Sequence, residues 1–402
     1  MKHLPQLYFL PILLCSIFLL ACSGKEKVID SYIGFDIPLQ ELDTYLDEKM
    51  EELDIPGMSI AFINDGQVVH HRTMGYAFLE NQTPVTDKTI FEAASLSKSV
   101  FAHFAMTYVD EGRLDLDKPL YEYLPYPDIA HDERYKKITA RMVLSHRSGF
   151  PNWRTDFEDE ELFIEFEPGT DFLYSGEGYM YLSMVLKEIE QTDWEGLEAI
   201  FQKKVAHPMG LEHTVFIQDA YSKANKAEPY DENGDWISWE NNPDSIFQYE
   251  FRAPASVHSE ALDFSKWMLA IMRREGLSEE AYREMFKIHS PIKMPDAPPL
   301  AYTLGFYTLD VPLMNLYAHG GNNYGFTAFF ALDPDKDWGY VLFTNSEYGE
   351  DLGGELLFYL LTGPDMSKVY VSLGAILLIL LGGILVLLRF VWRRWKQGRG
   401  KK

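Results

Sequence analysis

The stretch Phe91-Glu-Ala-Ala-Ser-Leu-Ser-Lys-Ser-Val-Phe-Ala-His-Phe-Ala-Met-Thr-Tyr-Val109 constrains the fold more than any other. Past Thr89-Ile90 the pattern turns from strand-like to helix-like. Phe91, Val100, Phe101, Phe104, Ala105, Tyr108 and Val109 recur at helical spacing, which predicts a buried helix. A core helix has no structural need of Ser95 and Lys98 on its first turn. Residues three apart share a face, so the Lys98 amine reaches the Ser95 hydroxyl. A desolvated amine can take a serine proton, and the free N–H groups at a helix start can hold an oxyanion. Taken alone, the pair is better read as a capping serine beside a lysine whose stem lies along apolar surface, and the catalytic reading needs support from the rest of the chain.

The ends of the chain add a topology. Lys2 and the apolar run Leu7 to Leu20 read as an export signal, and Leu19-Leu20-Ala21-Cys22 is similar to a bacterial lipobox, with Cys22 as the lipidation site. Residues 1–22 are therefore expected to be a lipoprotein-type signal peptide and 23–38 a tether. Val369 to Leu388 is uncharged and long enough to cross a bilayer, predicting a transmembrane helix over 369–388. The seven cations from Arg389 to Lys402, with Trp392 and Trp395, put the tail 389–402 in the cytoplasm and everything before the span outside the inner membrane of the cell envelope. The net charge of −25 includes those seven cations, so the preceding chain carries −32. That acidity excludes nucleic acid as a partner and leaves the membrane and a small-molecule or peptide substrate; the oligomeric state is left open. Both cysteines, Cys15 and Cys22, lie near the N-terminus, so the folded part has neither a disulfide nor a thiol site.

Between the anchors the reading is mixed. Leu39, Leu42, Leu46, Met50 and Leu53 mark an amphipathic helix stopped by Pro56-Gly57. Met58 to Ile63 and Gln67 to Tyr76, joined at Asn64-Asp65-Gly66, read as a β-hairpin. A short helix over Ile138 to Leu144 ends at Ser145-His146-Arg147-Ser148-Gly149, and longer ones run from Tyr181 to Gln191 and Leu262 to Arg274. Strands return at Tyr302 to Leu309, Tyr324 to Leu332 and Gly339 to Thr344, and a helix at Leu352 to Leu361 closes the globular part. Strands at both ends predict one sheet assembled from both termini around a largely helical insert.

Two further stretches carry chemistry. Phe172-Leu-Tyr174-Ser-Gly-Glu-Gly-Tyr179 follows the turn Glu167-Pro-Gly-Thr170, and a tyrosine there serves as a proton shuttle or packs at a helix start. Ala318-His319-Gly320-Gly321-Asn322-Asn323 leads into a strand; its glycines let a substrate lie against the backbone, or simply make a turn. No metal cluster with ligand spacing occurs, and no cofactor is implied.

Ser95-Leu-Ser-Lys98, Leu144-Ser-His-Arg-Ser-Gly149, Pro168-Gly169 before Phe172-Leu-Tyr174-Ser175, and His319-Gly320-Gly321 stand in the order and spacing of one family. The chain resembles the serine β-lactamase-related family of class C β-lactamases, low-molecular-weight penicillin-binding proteins, D-stereospecific peptidases and related esterases, over about residues 40 to 362. The resemblance implies an α+β fold, an antiparallel sheet flanked by helices with a helical subdomain beside it, for a hydrolase domain over 39–362. It implies Ser95 as acylated nucleophile, Lys98 as its partner, and Tyr174 as general base or proton shuttle. His319, Gly320 and Gly321 would be the edge-strand motif, and the N–H groups of Ser95 and Asn322 the oxyanion donors. His146 is expected to be structural. Two departures bear on substrate. Gly176 stands where the family has an asparagine that holds the lysine and the substrate amide, with Glu177 a candidate replacement partner for Lys98. His319-Gly320 stands where antibiotic-destroying members have Lys-Thr. The expected activity is acyl transfer on esters, D-amino-acid peptides or cyclic amides rather than true β-lactamase action; the alternative is a non-turnover penicillin-binding-like sensor or scaffold.

Overall fold

The computed structural model describes residues 27–238, 250–292, 299–311 and 314–364. The expected signal peptide with Cys22, the span 369–388 and the tail lie outside them. Among the described residues no helix is long and apolar enough to cross a membrane. The chain divides into two units, residues 47–357 and the stretches up to 46 and from 358.

In chain order the strands are β1 (Val28–Asp30), β2 (Asp36–Pro38), β3 (Gly57–Asn64), β4 (Gln67–Phe78), β5 (Thr83–Pro84), β6 (Phe91–Glu92), β7 (His258–Ser259), β8 (Ser290–Ile292), β9 (Leu300–Tyr302), β10 (Tyr307–Leu309), β11 (Tyr317–Asn322), β12 (Thr327–Asp333) and β13 (Trp338–Thr344). The helices are α1 (Leu39–Glu52), α2 (Leu96–Asp110), α3 (Ala140–Leu144), α4 (Gly176–Glu190), α5 (Trp194–Phe201), α6 (Ala220–Asn225), α7 (Ala261–Met272), α8 (Glu279–Phe286) and α9 (Gly349–Thr362).

The larger unit is built on a nine-stranded antiparallel sheet, in the order β5-β4-β3-β13-β12-β11-β10-β9-β8. Its central ladder sets Met58 opposite Thr344 and Ile63 opposite Gly339, so strands from the two ends of the chain meet in the middle, as expected from the sequence. The β3–β4 turn puts Asp65 and Gly66 at φ 49° and 67°, the left-handed pair that a two-residue hairpin requires. Successive strand residues face opposite sides. On β12, Phe330 packs tilted against Phe264 and edge-on against Trp267 of α7, while the neighbouring Phe329 meets α9 at Gly353, where a Cβ would stand 2.8 Å from that of Phe329. Helices thus cover both faces. Between Glu92 and His258 the described residues hold helices, single turns and loops with only isolated bridges, which is the expected helical insert.

Local differences have physical causes. Phe91 is not in the helix: β6 pairs with β7, and α2 begins at Leu96. The expected strand Tyr302 to Leu309 is a hairpin, β9 and β10, bent at Gly305, whose φ of 97° and 2.5 Å clearance from Ala102 Cβ on α2 exclude a side chain. In the smaller unit the expected tether carries the β1–β2 ladder, closed by burial of Ile29, Tyr32 and Ile37, and the Tyr32 N–H donates to the Leu360 carbonyl.

Candidate active site

Of the ten residues from Phe91 to Val100, Ser95 is the one that is not buried. Its presentation comes from the strand-to-helix junction. Ala93 N–H donates to Val257 O at 2.7 Å, continuing the β6–β7 pairing, and Ala94 then takes φ 46°, a left-handed conformation rare for a residue with a side chain. The bend sets Ser95 at the N-cap of α2, and the N–H groups of Leu96, Ser97 and Lys98 that follow donate to the Ala93, Ala94 and Ser95 carbonyls at 3.0 Å. Ser97 is spent elsewhere: its hydroxyl donates to Ala94 O and accepts from Val257 N–H at 2.9 Å, stapling the bend from beneath.

Lys98 Nζ lies 3.0 Å from Ser95 Oγ and donates to Pro254 O, also at 3.0 Å. The side chain is fully buried, and burial drives its pKa well below the ordinary lysine value. A desolvated amine, with its proton affinity lowered by burial, is therefore aimed at the serine hydroxyl. The amine also sits 4.5 Å over the ring of Tyr174. Burial raises the Tyr174 pKa well above 10, and a side-chain hydrogen bond with Ser95 works the other way without overcoming it. Tyr174 thus stands at the site as a phenol.

Its position is fixed by the start of α4. Ser175 caps the helix by accepting from Gly178 N–H, donates its hydroxyl to Pro151 O, and sends its own N–H to His146 Nδ1 at 3.0 Å. That bond assigns the His146 proton to Nε2. The imidazole is buried and packs 4.3 Å from the Tyr174 ring, so His146 is a support beneath the site, as the sequence reading expected.

The structure separates Gly176 and Glu177 from the site chemistry. Gly176 does not line the cavity: a Cβ there would meet Asn152 O at 2.9 Å and the Trp153 ring at 3.0 Å, so the residue is a close-packing glycine. Glu177 accepts from the Arg154 guanidinium and backbone N–H and is not a partner of Lys98. The second acceptor for Lys98 is the Pro254 carbonyl, which no side-chain pattern announces.

The His319 motif lies on β11, an interior strand, which differs from the edge strand expected. Its pairing with β10 stops at Ala318, so His319 to Asn322 are paired on the β12 side alone and their other backbone edge is free. Gly321 is pressed against the nucleophile: a Cβ there would stand 2.5 Å from Ser95 N. His319 is buried, bonded through Nδ1 to Gly320 O and through Nε2 to the Tyr302 hydroxyl, and burial followed by Lys98 lowers its pKa to about 3. It is neutral throughout the physiological range and offers no cation. Asn322 directs its side-chain amide to Glu347.

A buried polar network, missed in the sequence, ties the two halves of the site together. Glu92, just before the bend, pairs with Lys226 and accepts from Asn323 Nδ2 at 2.7 Å, and Asn323 also donates to Ala255 O beside Pro254. An acid inside the apolar run before Ser95 was the signal available. The cavity these elements enclose measures about 560 Å³ and is lined by Ser95, Tyr174, His319, Gly320, Gly321 and Asn322, with Tyr307, Phe329, Glu350 and a wall of leucines.

A sequence model of the Beta-lactamase family matches residues 42–362. The chain belongs to the beta-lactamase family. It is 23% identical over 399 residues to Protein flp of Staphylococcus aureus (strain MW2), covering 90% of this chain and 76% of that one. Its fold is similar to that of a class C beta-lactamase, with TM-score 0.67 and 20% identity, covering 81% and 95% of the two chains. It is also similar to the D-alanine carboxypeptidase AmpC of Burkholderia cenocepacia, with TM-score 0.65 and 19% identity, covering 80% and 97%. In the fold shared with these structures, Ser95 stands at the start of α2, against Gly321 of β11.

Proposed function

We propose that the protein is an envelope serine hydrolase that works through an acyl-enzyme, with Ser95 as nucleophile, Lys98 as the base and Tyr174 as the proton shuttle. The observation that carries this reading is the buried Lys98 amine, 3.0 Å from Ser95 Oγ and with its pKa lowered by burial. As Ser95 Oγ attacks a carbonyl carbon, its proton passes to Lys98 Nζ. The developing oxyanion is held by the N–H groups of Ser95 and Asn322. When the carbon–heteroatom bond breaks, the Tyr174 phenol gives its proton to the leaving group and is reprotonated from Lys98. Water then enters with the roles reversed and releases the acid.

The substrates that fit are esters first, with D-amino-acid peptides and cyclic amides second. An anionic β-lactam fits poorly: buried His319 is neutral, Gly320 has no hydroxyl, and the Gly176 position has no room for an amide side chain. A charge-assisted hydrogen bond contributes about 1.5–3 kcal/mol, so two missing contacts weaken transition-state binding roughly a hundredfold or more. Purified enzyme should hydrolyse short-chain activated esters and clear penicillins and cephalosporins at most marginally. A cephalosporin kcat/KM at or above that of the best ester would overturn the substrate reading. The second reading, a sensor that acylates without turnover, draws on the bare Gly176; a fluorescent acylating probe followed for hours separates the two, because an enzyme sheds its label.

For placement, a lipid on Cys22 and a span at 369–388 would hold the catalytic unit outside the inner membrane with the tail after Arg389 in the cytoplasm. Protease added outside should digest the body and spare the tail. A digested tail, or an uncleaved signal with unmodified Cys22, contradicts the corresponding half.

A further inference from the structure

The cavity lining contains one carboxylate, Glu350, and neither lysine nor arginine. Lys98 reaches Ser95 from the buried side, and His319 is sealed among tyrosines, so neither presents a cation to a ligand. Glu350 lies in the first turn of α9, where an acid is favoured by the helix dipole whatever the ligand. The neighbouring Asp351 would serve that purpose and does not line the cavity. Glu350 does, and its Oε1 lies 3.6 Å from where a Gly320 Cβ would stand, on the Phe329 side of β11, where the strand is unpaired toward β10 and the cavity is continuous with Ser95. No lysine or arginine among the described residues pairs with it, whereas nearby Glu347 is engaged by Asn322 Nδ2 and Gly325 N–H. The same cavity is also lined by the rings of Tyr174, Tyr307 and Phe329.

A carboxylate and aromatic rings lining one cavity, with no lysine or arginine among the lining residues, attract cations by charge and by the ring quadrupoles. We propose that Glu350 makes this cleft selective for substrates carrying an ammonium or quaternary ammonium group close to the scissile carbonyl, the uncharged remainder lying along the leucine wall. This rests on Ser95 being the acyl-accepting nucleophile. Glu350 is exposed, so solvent weakens the attraction. An exposed ion pair contributes up to about fivefold and the aromatic faces a further few-fold, giving roughly tenfold discrimination in favour of the cation.

The test uses matched esters in which a quaternary nitrogen is exchanged for carbon, leaving shape unchanged. Butyrylcholine against its carbon isostere places the charge in the alcohol. A nitrophenyl ester of trimethylammoniobutyrate against its isostere places it in the acyl group. Wild-type enzyme should favour the charged member of at least one pair by roughly tenfold in kcat/KM, falling toward unity with added salt and in Glu350→Gln, and reversing in Glu350→Lys. Which pair discriminates tells which side of the scissile bond lies beneath Glu350. Equal rates within both pairs, or a preference that survives Glu350→Gln, overturns the proposal. If no neutral ester is hydrolysed the enzymatic reading fails on its own. Selectivity is then read from choline binding by saturation-transfer NMR in wild type and Glu350→Gln, where equal binding overturns it.

Discussion

Gly321→Ala is the sharpest probe of how the site is assembled. The new methyl carbon would stand 2.5 Å from Ser95 N, 3.0 Å from Ala93 O and 3.0 Å from Ala94 Cβ. None of these belongs to a side chain that can swing aside, so β11 and the bend before α2 must part. Comfortable contact begins near 3.5 Å, so the gap must open by about 1 Å. Overpacking of this kind costs about 1–3 kcal/mol, a fall in Tm of roughly 1.5–5 °C for a domain of this size. The catalytic loss is larger in proportion. The displaced groups are the two proposed oxyanion donors, and misplacement by about 1 Å or loss of one donor costs about a hundredfold or more in rate. Gly320→Ala is the matched control: its Cβ would meet Phe329 Cδ2 at 3.5 Å and Glu350 Oε1 at 3.6 Å, ordinary contacts. Stopped-flow acylation with a nitrophenyl ester, beside thermal unfolding, reads both quantities. Acylation of Gly321→Ala within roughly threefold of wild type would refute the claim that β11 and Ser95 are held at contact distance.

Three other substitutions test the remaining parts. Lys98→Met should abolish acylation while raising stability, because a buried amine held below its unfolded pKa resists the protonation that the unfolded chain enjoys; the gain should be largest at neutral and acid pH and fade toward pH 10.5, and wild-type kcat/KM should fall as pH drops through the lowered Lys98 pKa. Chemical denaturation across pH checks the first half, and a gain that grows with pH contradicts it. Ser97→Ala should keep covalent labelling but lose about 1–3 kcal/mol, since its hydroxyl bridges Ala94 O and Val257 N–H; label found on the Ser97 peptide in wild type would overturn the choice of Ser95. Tyr174→Phe should slow alkyl esters far more than nitrophenyl esters, whose leaving group needs no proton, and an equal loss on both would deny the shuttle role.

What the sequence made legible follows the strength of each signal. Helix α2 is apolar around most of its surface, so its burial could be read from the sequence. The hairpin at Asn64-Asp65-Gly66 announced itself by turn chemistry. Pro254 could not: a backbone carbonyl has no sequence signature, and its approach to Lys98 depends on the β6–β7 pairing across the whole helical insert. Glu177 was misread because helical proximity to Tyr174 says nothing of Arg154, which reaches it from a separate loop. β11 was legible as a strand only through the family resemblance, because its glycines lack β-propensity, yet close contact with Ser95 is what demands one of them.

The meeting of β3 with β13 also governs the order in which the molecule can come into being. Met58 waits for Thr344, and until that partner has been synthesised the β3–β4 hairpin presents an open apolar edge with nothing to zip onto. Ser95 emerges early, but the free edge of β11 that completes its surroundings arrives more than two hundred residues later. A chain interrupted anywhere before β13 is therefore an unclosed sheet, inert and prone to strand exchange, and slow long-range pairing is the expected rate-limiting event of folding. The surroundings of Ser95 are thus completed only when the last strand pairs.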